Sequence, residues 1–320
     1  MIKNKVNMNS ISTQIFDCFQ VHNVSDDYSF IHIEIEDKPC FYSKLFDYFF
    51  SEEKLIRYCE NISNLKFQPT KQNYVTLYKN LQIYIDSRNI EKDMAEIDEI
   101  LHAVLREELK FEDKANKTII GLDKMGKIGE YMFSCILSDY FDFDCIIPKI
   151  QLLTDKNMNV YGIDTLFYSS VNNLLLFGES KITLNLDNGI VLINKSLSEY
   201  EQQIKEEFSL VLSNRFYASQ LNIFNDKYGA ITASCCEIED FIKDAKIEKI
   251  GIPIFIAHGI ELCEKEILTK ISKIKRNSVL GLPTVYYIIS IPIIDKNKLI
   301  ALFTKRIKEQ IEYYHDEAKK

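Results

Sequence analysis

Val160 to Lys181, VYGIDTLFYSSVNNLLLFGESK, is the stretch whose reading decides the fold. It reads as two adjacent β-strands. The first delivers Asp164 after Gly162-Ile163, a turn is expected over Ser169-Ser170 and Asn172-Asn173, and the apolar run Leu174 to Phe177 ends in Gly178-Glu179-Ser180-Lys181. Side chains alternate across a strand, so Glu179 and Lys181 are expected on one face and Ser180 on the other. An acid on one strand beside Glu-x-Lys on the next is the arrangement that metal-dependent phosphodiester hydrolysis needs. Carboxylates are hard oxygen ligands for Mg²⁺ (or Mn²⁺), and a lysine can orient water and offset phosphate charge. The metal set expected on this reading is Asp164, Glu179 and the backbone carbonyl of Ser180.

Glu-x-Lys recurs in this chain, for example at Glu36–Lys38 and Glu108–Lys110. Only the copy at Glu179 follows a four-residue apolar run and an upstream Gly-Ile-Asp. The alternative is a salt-bridged strand end near an unrelated aspartate.

The strand pair sits in an alternating pattern. Helical spacing of Ile128, Met132, Phe133, Ile136 and Leu137 predicts a helix over 124–141, and 145–150 reads as a short strand. Beyond Lys181, Asp187-Asn188-Gly189 looks like a hairpin turn. Ile190, Ile193, Leu197, Tyr200 and Ile204 keep helical spacing, however, so a helix from about Asp187 is expected. IPIFIAH (252–258) and TVYYIISI (284–291) read as strands, with helices over 262–275 and 295–315. This is an α/β chain. Residues 1–115 are less legible: a strand at 28–36, helical spacing through 40–62, and helices at 74–85 and 90–109. The charged segment 107–117 is the expected boundary between an N-terminal region (1–115), read as a mostly helical extension for partner binding or regulation, and the site-bearing domain (116–320).

The 320 residues carry a net charge of −8, which disfavours a protein that coats nucleic acid through its overall field. Eight cysteines without a CxxC pair fit reduced thiols and a cytoplasmic location. No signal pattern opens the chain, and no apolar run approaches the roughly 18 residues a spanning helix needs.

Other candidates are weaker. Gly121 to Lys127 matches GxxxxGK, but Ile128 stands where a magnesium-binding Ser or Thr belongs; a nucleotide hydrolase is the minor alternative. Glu130, after Gly129 on the helix before the strand pair, is either a further metal-shell carboxylate or a solvated helix residue. Lys270 and Lys273 on the amphipathic segment 264–276, together with Lys124, Lys127 and Lys149, are candidate DNA contacts. His22, His32 and His258 read best as structural.

Together, Gly162-Ile163-Asp164, the strand ending Gly178-Glu179-Ser180-Lys181 and the Gly129-Glu130 helix resemble the PD-(D/E)xK nuclease superfamily. LLLFGESK, GIPIFIAHG and the overall length look like the HamA family, nuclease subunits of Hachiman-type bacterial anti-phage systems. The core motifs cover roughly 118–300. The resemblance implies a restriction-endonuclease-like mixed sheet flanked by helices and a Mg²⁺-dependent DNA nuclease restrained by a HamB-like helicase. Asp164 and Glu179 would hold the metal, Lys181 would assist the attacking water, and Glu130 would match a helix glutamate. Ile163 stands where the superfamily's motif name has Pro. A non-catalytic DNA-binding scaffold on the same fold is the other alternative.

Overall fold

The computed structural model describes residues 11–32, 38–63, 70–76, 78, 91–92, 118–119, 125–148, 165–169, 172–213, 237–259, 262–293 and 296–317. The strands are β1 (Ser12–Phe16), β2 (Phe19–Val24), β3 (Asp27–His32), β4 (Glu91–Lys92), β5 (Thr118–Ile119), β6 (Asp144–Pro148), β7 (Thr165–Ser169), β8 (Leu174–Thr183), β9 (Ile250–His258) and β10 (Thr284–Pro292). The helices are α1 (Lys38–Phe49), α2 (Glu52–Ser63), α3 (Met125–Asp139), α4 (Leu186–Ser213), α5 (Ile238–Asp244), α6 (Glu264–Ile271) and α7 (Lys296–Glu317).

Eight strands form one sheet in the order β1-β2-β3-β10-β9-β8-β7-β6. Its centre, β3, β10, β9 and β8, is parallel. Both ends are antiparallel, β1-β2-β3 on one side and β8-β7-β6 on the other. β8 therefore has an antiparallel neighbour on one side and a parallel one on the other. All nine residues of β9 are buried, as expected for a parallel strand covered on both faces.

Helices cover both faces and make two cores. On one face α1, α3 and α7 pack an aromatic-rich layer that includes Phe41, Phe49, Phe133 and Phe303 over Leu174, Leu176 and Phe255 of the sheet. On the other, α4, α5 and α6 cover Leu175, Phe177, Ile250, Ile252, Ile254 and Ile256.

The N-terminal third departs from expectation. It opens with three strands, two of them unexpected, and β3 pairs with β10 in parallel, so residues on both sides of position 115 build one sheet. β1 carries exposed residues along nearly its whole length, which leaves no hydrophobic alternation to read. The helical spacing over 40–62 resolves into α1 and α2. The chain breaks at Ser51, whose carbonyl accepts from Leu55 N at 3.0 Å. Glu52 and Glu53 then fill the first turn of α2, where acids favour the helix N-terminus. The helix expected over 90–109 is corrected at its start, because Glu91 and Lys92 pair with Ile119 and Thr118 as strands; its remainder lies outside the described residues.

The ambiguity after β8 resolves in favour of a helix. Asn185 Oδ1 accepts from Asn188 N at 2.8 Å, an N-terminal cap, so Asp187-Asn188-Gly189 forms the first turn of α4. Gly189 is there for space. A Cβ at that position would lie 2.5 Å from Ile256 Cγ2, so only glycine lets α4 start directly over β9.

Candidate active site

The described part of β7 begins at Thr165, whose partner across the antiparallel ladder is Gly178. On the other side of β8, Glu179, Lys181 and Thr183 pair in register with Ile254, Ile256 and His258 of β9. Past Gly178, β8 thus has a strand partner on one side only among the described residues.

The alternation expected from sequence holds. Leu175, Phe177, Glu179, Lys181 and Thr183 share the isoleucine-rich face, while Leu174, Leu176, Ser180 and Ile182 face the aromatic layer. Tyr200 of α4 donates its hydroxyl to the Phe177 carbonyl at 2.7 Å, which ties the covering helix to the strand two residues before Glu179.

Glu179 is 2% exposed. A carboxylate this deep in an apolar layer is costly unless a cation meets it. Lys181 supplies that charge: its Nζ donates to Glu179 Oε1, and its side chain keeps 27% of its surface exposed. The two side chains form a pair with one member sealed and the other reaching toward solvent.

Other candidates fall in different places. Ser180 is buried on the opposite face, and what remains relevant to the site is its backbone carbonyl. Glu130 is half-buried on α3 and engaged in a polar interaction. That helix packs through Gly129 against Ile182 and Ser180, the face away from Glu179 and Lys181. Lys270 is committed to an ion pair with Asp187 at the start of α4, whereas Lys273 is exposed. Asp164, Lys124 and Lys149 lie outside the described residues, as does the side chain of Lys127. Ile128, the departure in the GxxxxGK match, is 3% exposed and packs into the aromatic core. His258 is 1% exposed with Nε2 2.8 Å from Ser290 Oγ, in keeping with its structural reading. His22 meets Thr13 Oγ1 through Nδ1 at 2.9 Å.

The donor chemistry suits a hard divalent cation. Carboxylate and carbonyl oxygens are ligands for Mg²⁺ or Mn²⁺, and the buried Glu179 carboxylate already takes a positive partner. Among the described residues no three His, Cys, Asp or Glu side chains form a group that could hold a metal ion.

A large concavity of about 880 Å³ lies elsewhere, between α1, α2 and the β1–β2 turn. Asp139, at its wall, accepts from Tyr48 Oη at 3.1 Å and meets Lys54 at 3.2 Å and Arg57. Sequence spacing offered no signal for this cluster, because Asp139 lies over 80 positions from Tyr48, Lys54 and Arg57. Asp139 closes α3, ten residues from the Gly129 contact, so roughly 15 Å of helix separates the two. The Cys18 thiol in this cleft is pushed up to about 12 by burial and by Asp17, which makes it unreactive as a thiolate.

The fold and site define an α/β protein whose mixed sheet holds a Glu-x-Lys pair on β8, one of the two strands where parallel and antiparallel pairing meet. A family model described as HamA matches residues 11–307, and the chain belongs to the HamA family, proteins of the Hachiman defence system. No curated protein matches the chain. No helix among the described residues is long and apolar enough to cross a membrane.

Proposed function

We propose that this chain is a Mg²⁺-dependent DNA nuclease, the effector of a Hachiman defence system, restrained by a HamB-like partner helicase and released when that partner senses damaged or phage DNA. The observation that carries the reading is the buried Glu179 paired with Lys181 on β8. A purely structural sheet interior has little reason to place a carboxylate there, since its desolvation is repaid only in part by a salt bridge. The fold class agrees with a PD-(D/E)xK core, in which α3 precedes the β6-β7-β8 meander and α4 returns the chain to the parallel strand β9.

In this reading Asp164, Glu179 and the Ser180 carbonyl hold the cation. The described part of β7 begins at Thr165, the partner of Gly178, and the residue before it in sequence, Asp164, is the acid this reading gives to the cation. When bound, the metal polarises the phosphate and lowers the pKa of water. The protein's own groups do the rest. α4 and the β9 isoleucines exclude solvent around Glu179, so charge interactions there are stronger than in water. Lys181, whose Nζ donates to Glu179 and whose side chain is partly exposed, would orient the attacking water and offset charge on the phosphate. Glu130 is given no ligand role in this reading, because α3 packs through Gly129 on the face of β8 away from Glu179. Lys273, and with it Lys124, Lys127, Lys149 and Lys270, would follow the DNA backbone.

Purified protein with Mg²⁺ should degrade plasmid or linear DNA, alone or with its helicase on damaged DNA, and Glu179→Ala and Lys181→Ala should abolish this. Equal cleavage by all three proteins contradicts the site. A wild type that binds DNA and stays silent even with the helicase present favours the scaffold reading.

A further inference from the structure

We propose that Lys181 and the divalent cation are alternative occupants of the Glu179 carboxylate, so that metal loading expels the lysine from its pairing and delivers it to the substrate side of the site. The inference rests on the reading of Glu179 as a metal ligand.

Three observations support it. Glu179 is 2% exposed, so its charge demands a counter-ion whenever no metal is present. Lys181 meets that demand from two residues along the same strand face, donating directly to Oε1. The lysine itself is not sealed: 27% of its side chain reaches solvent, which gives the ammonium an exit that the carboxylate lacks. A dication at the same carboxylate would stand within a few ångströms of the ammonium, in a layer of isoleucines where repulsion is poorly screened. The flexible four-carbon stem of lysine relieves this by swinging outward, as lysine heads do when a stem lies on apolar surface.

The arrangement couples two requirements of catalysis. Without metal, Glu179 and Lys181 neutralise each other and neither is available to a phosphodiester. With metal, both are released to their tasks at once. Lys181 thus guards the empty site as well as serving the loaded one.

The test is Mn²⁺ binding to the full chain without DNA, followed by the loss of the free-ion paramagnetic resonance signal. Lys181→Met removes the competing charge at similar volume, Lys181→Arg retains it, and Glu179→Gln removes the ligand; Lys181→Gln replaces the Met variant should that fail to fold. Lys181→Met should bind Mn²⁺ about tenfold more tightly than wild type, Lys181→Arg should stay within about twofold, and Glu179→Gln should bind far more weakly. Wild-type binding that Glu179→Gln loses, with Lys181→Met no tighter than wild type, overturns the competition and leaves the nuclease reading standing. Weak or absent binding that Glu179→Gln does not change overturns both.

Discussion

The two faces of the same sheet are built from different chemistry. One is sealed by rings: Phe50 stacks on Tyr131 at 5.1 Å and meets Phe303 edge-on at 4.5 Å, and Phe133 stacks on Phe255 at 5.5 Å. The other is a field of β-branched side chains, Ile250, Ile252, Ile254 and Ile256 on β9 alone. Most buried polar groups of the central strands, Glu179, Thr183, His258, Ser290, Ser29 and Asp27, lie on this second face, with Ser180 the exception on the first. Ring packing draws the N-terminal helices, α3 and α7 into one core, and that face carries the closure of the fold. The isoleucine face carries charge, held in register by rigid strands with short, stiff side chains between them. One strand, β8, serves both, because successive residues point to opposite layers.

The largest expected effect comes from breaking the closing face. Phe303 is 0% exposed among rings of α1, so Phe303→Ala should cost about 3–5 kcal/mol in denaturant unfolding. A cost below about 1 kcal/mol would mean that the aromatic layer collapses into the void and does not determine closure. Next is Arg276, which pairs from the loop after α6 with Asp27 on β3, 7% exposed in its side chain. Arg276→Ala strands a buried carboxylate and should cost about 1–3 kcal/mol, most of which Asp27→Asn should restore in the double variant.

Ile254→Val sharpens the contrast from the other side. It shaves one methyl from the β9 residue beside Glu179 and should cost about 0.5–1.5 kcal/mol, leaving the fold intact while loosening the packing around the carboxylate. The smallest effect is a pH dependence. His22 is lowered from 6.5 by burial, with Glu264 opposing. Its folded value lies below its unfolded one, so the unfolded chain binds the extra proton first. Stability from this residue is therefore complete above about 6.5 and declines as pH falls below it. His22→Asn should flatten the unfolding midpoint over that acidic range. An unchanged slope would place the pH sensitivity elsewhere.

What the sequence displayed and what it hid follow the same division. The site strand was legible because a four-residue apolar run and a Glu-x-Lys end mark a strand that leaves the core with alternating faces. α4 was legible because its stripe continues past the misleading Asp-Asn-Gly, and β9 and β10 because parallel strands read as unbroken apolar runs. β1 was not, since an exposed edge strand such as STQIF lacks any period. Nothing local announces that β3 joins β10, or that Asp27 meets Arg276, across more than 240 residues of chain. The direct contact between Lys181 and Glu179 was implicit in their spacing. The burial of one and the exposure of the other were set by α4 and β9, and only the folded arrangement shows them.

The most direct test of the central claim, that the charge on the isoleucine face is there for chemistry, pairs two readings on Glu179→Gln: DNA degradation with Mg²⁺, and the thermal unfolding midpoint. The account predicts that degradation is lost while the midpoint holds or rises, since a neutral amide is cheaper to bury than a carboxylate. Retained degradation, or loss only in step with a collapsed midpoint, would contradict it and return Glu179 and Lys181 to the role of a structural ion pair.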